Sequence, residues 1–137
     1  MAGATSPNGM DKRELSRAGT TGTPPTVEFR EGKETQVLKL VLKPGGTTGW
    51  HRHPEQGVFL VDKGTLTSYG LDGPPCEPVE LAAGKALFFG PHASHSHLVR
   101  NTGAEPLEFT VLYFNLAPGQ GGAVDAERPT ECPADLN

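Results

Sequence analysis

The stretch Gly49-Trp50-His51-Arg52-His53-Pro54-Glu55-Gln56-Gly57 decides how the fold of this chain is interpreted. A second stretch downstream, Pro91-His92-Ala93-Ser94-His95-Ser96-His97, belongs with it, because the two together hold all five histidines. Imidazole is the commonest metal ligand among side chains, and it titrates near neutral pH. Two histidine clusters in a chain with no other histidine therefore indicate a metal site.

The spacing of the histidines predicts how they could share one ion. His51 and His53 are two residues apart, so on an extended strand both side chains leave the same face. His95 and His97 repeat this spacing on a later predicted strand. If the two strands pair or face each other, three or four imidazoles converge on one point. A single His-X-His is often a solvated surface strand, but here that explanation would need two coincidences. His92 follows Pro91 in a predicted loop, and we expect it to face solvent or to support a ligand.

The composition excludes several classes of protein. Eighteen glycines and 13 prolines punctuate short apolar runs in the 137-residue chain, which is typical of an all-β protein with tight turns. The formal net charge of −4 gives no basic face for nucleic acid. No apolar run is long enough to span a membrane, and the amino terminus has no apolar segment typical of a secretory signal. We therefore expect a cytoplasmic protein.

The pattern of strands and turns predicts one domain. Residues 1–22 lack periodicity and are predicted to form a disordered arm, residues 23–117 a barrel, and residues 118–137 a tail on its surface. Asp62-Lys63-Gly64 is typical of a hairpin turn. The strands are predicted at residues 26–30, 35–43, 47–53, 57–61, 65–69, 78–81, 85–89, 95–101 and 107–113.

The first histidine stretch resembles a known family motif. Pro44-Gly45-Gly46, Trp50-His51-Arg52-His53 and Gly64 resemble the first motif of the cupin superfamily, G(X)5HXH(X)3–4E(X)6G. The glutamate of that motif, counted back from Gly64, falls on Gly57, with Glu55 and Gln56 nearby but out of register. The glutamate ligand that the family motif supplies is therefore missing from its place.

The second stretch resembles the second cupin motif, G(X)5PXG(X)2H(X)3N, through residues 84–89, His97 and Asn101. It is two residues longer than usual. The resemblance covers about residues 37–114 and implies a single-domain jelly-roll, an antiparallel double-stranded β-barrel with a metal in its mouth. It implies His51, His53 and His97 as metal ligands, and the fourth ligand stays open between Gln56, His95, and water or substrate.

The same resemblance sets the functional expectations. The chain is similar to a set of short bacterial cupins of mostly unassigned activity, and from its predicted metal site we expect a metal-dependent enzyme acting on a small organic molecule. The candidate reactions are those of a cyclase, isomerase or lyase, or of an iron dioxygenase; the alternative is a non-catalytic cupin that binds metal or a small ligand. Imidazole ligands do not distinguish Fe, Zn, Ni, Cu and Mn. Glu55 is a candidate general base, and an open strand edge would suit a homodimer.

The two cysteines, Cys76 and Cys132, lie in proline-rich loops and belong to no CxxC pair. From the residues alone, two independent thiols and a disulfide are equally good interpretations. Short cupins of the set that this chain resembles tend to carry a cysteine in the same loop and another near the end. The resemblance therefore favours the disulfide.

Overall fold

The computed structural model describes residues 3–71 and 73–137, with the backbone alone for residues 92–95. These residues form ten strands and no helix, which confirms the predicted all-β fold. Accordingly, no described helix is long and apolar enough to cross a membrane. The strands are β1 Gly19–Thr20, β2 Glu34–Leu42, β3 His51–His53, β4 Gly57–Lys63, β5 Thr65–Tyr69, β6 Pro78–Ala82, β7 Lys85–Phe89, β8 His92–Arg100, β9 Leu107–Leu116 and β10 Val124–Asp125.

The strands form two five-stranded sheets, in the orders β1-β7-β4-β9-β2 and β10-β3-β8-β5-β6. All pairings are antiparallel except that of β1 with β7. Strands that are neighbours in sequence often lie in different sheets, as in a jelly roll. The predicted jelly-roll barrel is confirmed.

The main hydrophobic core lies inside the barrel. Alternate residues of β4 and β9 point inward, and Val61 and Phe109 are 0% and 1% exposed. Leu66 of β5 meets them from the other sheet. Full burial of such a side chain contributes about 1.5–3 kcal/mol. The core therefore holds the two sheets in a fixed relation, which sets the distance from the histidines of β3 and β8 to the side chains of the other sheet.

The hairpin predicted at Asp62-Lys63-Gly64 is wrong. β4 pairs with β7 and β9, whereas β5 pairs with β6 and β8, so this turn carries the chain from one sheet to the other. The turn signal itself is correct. Gly64 has φ of 83°, a backbone conformation that L side chains rarely adopt.

The N-terminal segment lies against the outside of the first sheet. Within the arm predicted to be disordered, Gly19–Thr20 pairs with β7, and Ser16 Oγ donates to Asp62 Oδ1 at 2.6 Å. Residues 26–30 are not the strand that the sequence predicts. Instead, the side chain of Asn115 binds their backbone through two hydrogen bonds. Asn115 Oδ1 accepts from Arg30 N and Asn115 Nδ2 donates to Glu28 O, both at 2.9 Å.

The C-terminal tail, residues 118–137, crosses the outside of the second sheet. Its strand β10 pairs with β3, and a disulfide bond joins Cys132 of the tail to Cys76 of the β5–β6 loop. The disulfide packs in a second cluster of buried side chains with Trp50, Tyr69, Leu98 and Leu136. The tail is thus attached beside the histidine strand.

Candidate metal centre

Three histidines meet inside the barrel. His51 and His53 leave the same face of β3, and His97 lies directly opposite His51 in the ladder between β3 and β8. One imidazole nitrogen from each ring lies within 4.8 Å of the other two. Two nitrogens on one zinc ion are about 4 Å apart or less, since each Zn–N bond is about 2.0–2.1 Å. The three rings therefore need only small rotations to hold one ion.

Backbone carbonyls fix the orientation of two of the rings. His51 Nδ1 is 2.9 Å from Gly49 O, and His53 Nδ1 is 2.8 Å from Gly122 O. A carbonyl oxygen only accepts, so each Nδ1 carries the proton and donates it. The ring nitrogen that remains unprotonated is Nε2, the form that binds a metal. This hydrogen-bond pattern is characteristic of metal-ligating histidines.

Burial keeps His51 in the neutral form. Desolvation by burial lowers the pKa of His51 below 6.5. The hydrogen bond to Gly49 and the charge of Asp125 raise this pKa, but their effect is smaller. His51 is 6% exposed, and His53 and His97 are fully buried. A neutral imidazole is the protonation state that a metal requires. The site is therefore suited to bind a cation rather than to carry positive charge itself.

Aromatic rings form the wall beside His53. The ring centroid of Phe89 is 4.2 Å from that of His53, and the centroid of Tyr113 is 5.4 Å from it. Phe59 stacks on Phe89 at 4.6 Å. Burial raises the pKa of Tyr113 to about 12, so its hydroxyl keeps its proton at neutral pH. The wall is apolar apart from this group.

Gly57 explains why the family glutamate is missing from its place. A Cβ at Gly57 would overlap the Phe89 ring and lie 2.5 Å from Leu112 O. The space that a side chain from this position of β4 would enter is therefore filled by Phe89. Among the described residues, the group that could hold a metal consists of these three histidines and includes no carboxylate.

The other candidate residues lie elsewhere. The carboxylate of Glu55, predicted as a general base, is 3.6 Å from Arg30 Nη2 and lies outside the histidine group. Gln56, a candidate fourth ligand, donates its amide to Thr26 O at 3.2 Å, on the N-terminal segment. Gln56 faces outward because its neighbour Gly57 faces the barrel interior, and Glu55 lies in the bend between β3 and β4.

Two histidines of the second cluster cannot be placed in the site. The side chain of His95, the other candidate ligand, lies outside the described residues, as does that of His92. The backbone of His92 belongs to β8 and is opposite His53, so the loop predicted there is wrong. The register shifts between the pairs His51–His97 and His53–His92, which accommodates the additional residues of the second motif.

Asn101, the last residue of the second motif, stabilises the chain reversal after β8. Its Nδ2 donates to Leu42 O at 2.9 Å and to Glu105 O at 2.7 Å, and its Oδ1 accepts from Gly103 N at 3.0 Å. Asn101 is 2% exposed. Its role is thus to fix the end of the strand that carries His97.

A groove of about 680 Å³ lies on the opposite face of the histidine sheet. Arg52 of β3 lines it together with Ser96 of β8 and residues of the tail. Arg52 alternates with His51 and His53 along the strand, so the sheet separates this groove from the imidazoles. No sequence motif predicts this groove, because the tail forms one of its sides.

Comparison with known proteins agrees with the geometry. Residues 38–113 match the family model described as the cupin domain. No functionally curated protein is similar enough in sequence to count as a match. An uncharacterised double-stranded β-helix protein from Klebsiella pneumoniae is 27% identical, with a TM-score of 0.54 over 69% of this chain and 76% of that one.

Two further solved structures are similar to this chain. A predicted oxalate decarboxylase from Thermotoga maritima is 27% identical, with a TM-score of 0.50 over 58% of this chain and 65% of that one. A cupin 2 domain-containing protein from Halorhodospira halophila is 22% identical, with a TM-score of 0.54 over 72% of this chain and 62% of that one. The last similarity supports the fold alone.

Proposed function

Because this chain belongs to the cupin family, we propose that it is a metal-dependent enzyme acting on a small organic molecule, with His51, His53 and His97 as the metal ligands. One observation carries the proposal: three buried imidazoles converge where Gly57 supplies no fourth ligand. Structural zinc sites use four protein ligands, whereas catalytic sites use three and keep a position open. Three histidines therefore favour a catalytic centre over a structural one.

The metal is a divalent transition ion: Fe, Zn, Ni and Cu suit imidazole ligands, whereas Mn more often takes oxygen ligands. Such an ion would polarise a substrate oxygen, lower the pKa of a coordinated water or, as iron, support oxygen chemistry. The reaction is that of a cyclase, isomerase or lyase, or of a dioxygenase. The resemblance to a predicted oxalate decarboxylase supports a small carboxylate as the substrate class.

The residues around the site suit this function. Phe89 and Phe59 exclude water from one side of the imidazoles, which strengthens electrostatic interactions with a bound substrate. Tyr113 keeps its proton at neutral pH and so acts as a donor rather than a base. Gly49 and Gly122 hold His51 and His53 in the tautomer that binds metal.

A non-catalytic cupin that binds metal is the second candidate function. The observation that favours it is burial, since His53 and His97 have no exposed surface. The substrate of an enzyme must reach the ion, whereas a protein that stores or senses the metal needs no organic molecule beside the ion. The two functions share the metal and differ in whether an organic molecule binds there.

The first experiment is elemental analysis of protein purified without a histidine tag. We expect about one equivalent of a transition metal in the wild type and less than about a tenth in the double variant His51→Ala/His53→Ala, since each of its two substitutions removes a ligand. Arg52→Ala is the matched control, because Arg52 lies between them and faces the other side of the sheet. A double variant with unchanged metal content would refute the metal site.

The second experiment separates the enzyme from the binding protein. Metal-loaded protein is tested against a panel of small carboxylates and other small organic acids, with oxygen uptake recorded for the iron form. Turnover that disappears in His97→Ala supports the enzyme. Metal binding without turnover of any compound, and without a change in the metal's spectrum when the compounds are added, supports the non-catalytic function.

A further inference from the structure

The C-terminal tail touches the histidine site directly, although it lies beyond the residues that match the family model. Gly122 O accepts a hydrogen bond from His53 Nδ1 at 2.8 Å. Three residues later, Asp125 of β10 lies opposite His51 of β3, and Ala126 N donates to Trp50 O at 3.0 Å. One segment of the tail thus contacts the backbone or side chain of each residue from Trp50 to His53.

The close approach of Gly122 depends on its missing side chain. A Cβ there would overlap the ring of Tyr113, so any other residue would push the tail away or displace the tyrosine. Gly121 differs, because a Cβ at that position would meet Ala123 O at 3.6 Å, an ordinary contact. We therefore expect opposite effects from replacing each of these two adjacent glycines with alanine.

The disulfide fixes the tail ten residues beyond Gly122. Cys132 is buried beside Trp50 and Leu136, and Trp50 Nε1 donates to Leu136 O at 2.8 Å. Without the bond to Cys76, hydrogen bonds from Trp50, Ser96 and Arg100 and the packing of Leu136 would still hold residues 127–137, whereas the part of the tail beside His53 would be attached by the two-residue strand β10. A short edge pairing of this kind opens easily. The covalent bond is therefore the strongest single attachment of the tail to the barrel.

We infer that the tail is part of the metal centre: Gly122 is a positioning residue for His53, and the Cys76–Cys132 disulfide holds it in place, so metal affinity depends on the redox state of this bond. The inference rests on the proposed function only in taking His53 as a ligand. A dithiol supplies two electrons and two protons; the S–S bond breaks, two thiols form, and the dithiol becomes a disulfide. The freed tail then withdraws its carbonyl from His53.

The first test uses the metal-free protein, oxidised or reduced with a dithiol. Trp50 is the only tryptophan and packs in the buried cluster with the disulfide, so a red shift of its emission, which reports water at the ring, reports release of the tail. Nitrogen NMR of the His53 ring reports which nitrogen carries the proton. We expect one tautomer, with the proton on Nδ1, in the oxidised protein and a mixture in the reduced protein. A tail with only a structural role would leave the His53 tautomer unchanged.

The second test measures Zn²⁺ affinity without a reductant, using the Cys76→Ser/Cys132→Ser variant. We expect affinity about tenfold weaker than in the wild type, in the range observed when an outer hydrogen bond to a ligating histidine is lost. Gly122→Ala should weaken binding similarly, whereas Gly121→Ala should bind like the wild type. The visible spectrum of the Co²⁺ form should change for Gly122→Ala and not for Gly121→Ala.

The outcomes separate this inference from the proposed function. Equal Zn²⁺ affinity in all four proteins, with one His53 tautomer in both redox states, would overturn the inference and leave the metal site standing. If no form binds Zn²⁺, the proposed function fails, and the tautomer of the metal-free protein still decides whether the tail positions His53. Should Cys76→Ser/Cys132→Ser or Gly122→Ala fail to fold, the reduced wild type supplies the decisive comparison.

Discussion

His51 on β3 lies directly opposite His97 on β8, and their ring centroids are 4.4 Å apart. In an antiparallel ladder, residues in register bring their side chains together without any help from a ligand. His53 joins them because it lies two residues along the same strand face, with its ring centroid 4.3 Å from that of His97. The pairing of two strands therefore brings the three imidazoles together.

The first prediction concerns His97→Ala. This change removes the one ligand that we propose on β8. Loss of an outer hydrogen bond to a ligand costs about 10–100-fold in affinity, so the loss of the ligand itself should weaken Zn²⁺ binding by more. Competition titration against a chelating dye measures the affinity. Circular dichroism of the metal-free variant checks that the barrel is intact. Unchanged affinity in a folded variant would remove His97 from the site.

Gly57→Ala should destabilise the barrel by about 1–3 kcal/mol, the usual cost of overpacking a filled interior. Its new methyl group would overlap the Phe89 ring and approach Leu112 O. Gly73→Ala is the control, because a Cβ there has nothing within 4 Å and should change stability by less than about 0.5 kcal/mol. Urea denaturation compares the two. If both variants matched the wild type, Phe89 would not fill the place of the missing glutamate.

Asn101→Ala should lower the free energy of unfolding by about 2–4 kcal/mol, because it leaves buried backbone groups without their partners. Three hydrogen bonds depend on this side chain. Asn8→Ala, at an exposed position, is the control for the change of residue type. Metal affinity measured in the folded variant should match that of the wild type. A loss of metal without a loss of stability would instead place Asn101 at the ion.

The sequence predicts the parts of this structure that depend on side-chain spacing. His51 and His53 share a strand face, and Asn101 follows His97 at the interval of the second motif. The two motifs therefore predict the barrel and the strands that carry these three histidines. The turn at Gly64 is also correct, but alternation of apolar residues does not specify which strands pair. For that reason the sequence predicts a hairpin where the chain changes sheets.

The missed features depend on groups that carry no sequence signal. The partner of His53 is the backbone carbonyl of Gly122, and any residue has such a carbonyl. A glycine in a Gly-rich tail looks like a loop residue until its contact with Tyr113 is seen. The same holds for residues 26–30, whose hydrogen bonds come from Asn115, far along the chain.

The metal-free protein should lose stability as the pH falls below about 6.5. Burial lowers the pKa of His51 in the folded state, so below its ordinary value of 6.5 the unfolded chain binds a proton that the folded chain does not. Stability then rises with pH in this range, by at most about 1.4 kcal/mol per pH unit for one proton. Urea denaturation at a series of pH values should show a weaker dependence for His51→Gln. An identical slope in that variant would contradict the prediction.

Tyr113 should stay protonated until the solution is strongly alkaline. Burial raises its pKa from 10.0 to about 12, so between these values the unfolded chain loses a proton that the folded chain keeps. Stability therefore falls as the pH rises from 10.0 to about 12, and Tyr113→Phe should weaken that fall. Phenolate absorbance should show a late-titrating component that disappears in Tyr113→Phe and persists in Tyr69→Phe. A tyrosine at residue 113 that titrates near its ordinary value would mean that water reaches the aromatic wall beside His53.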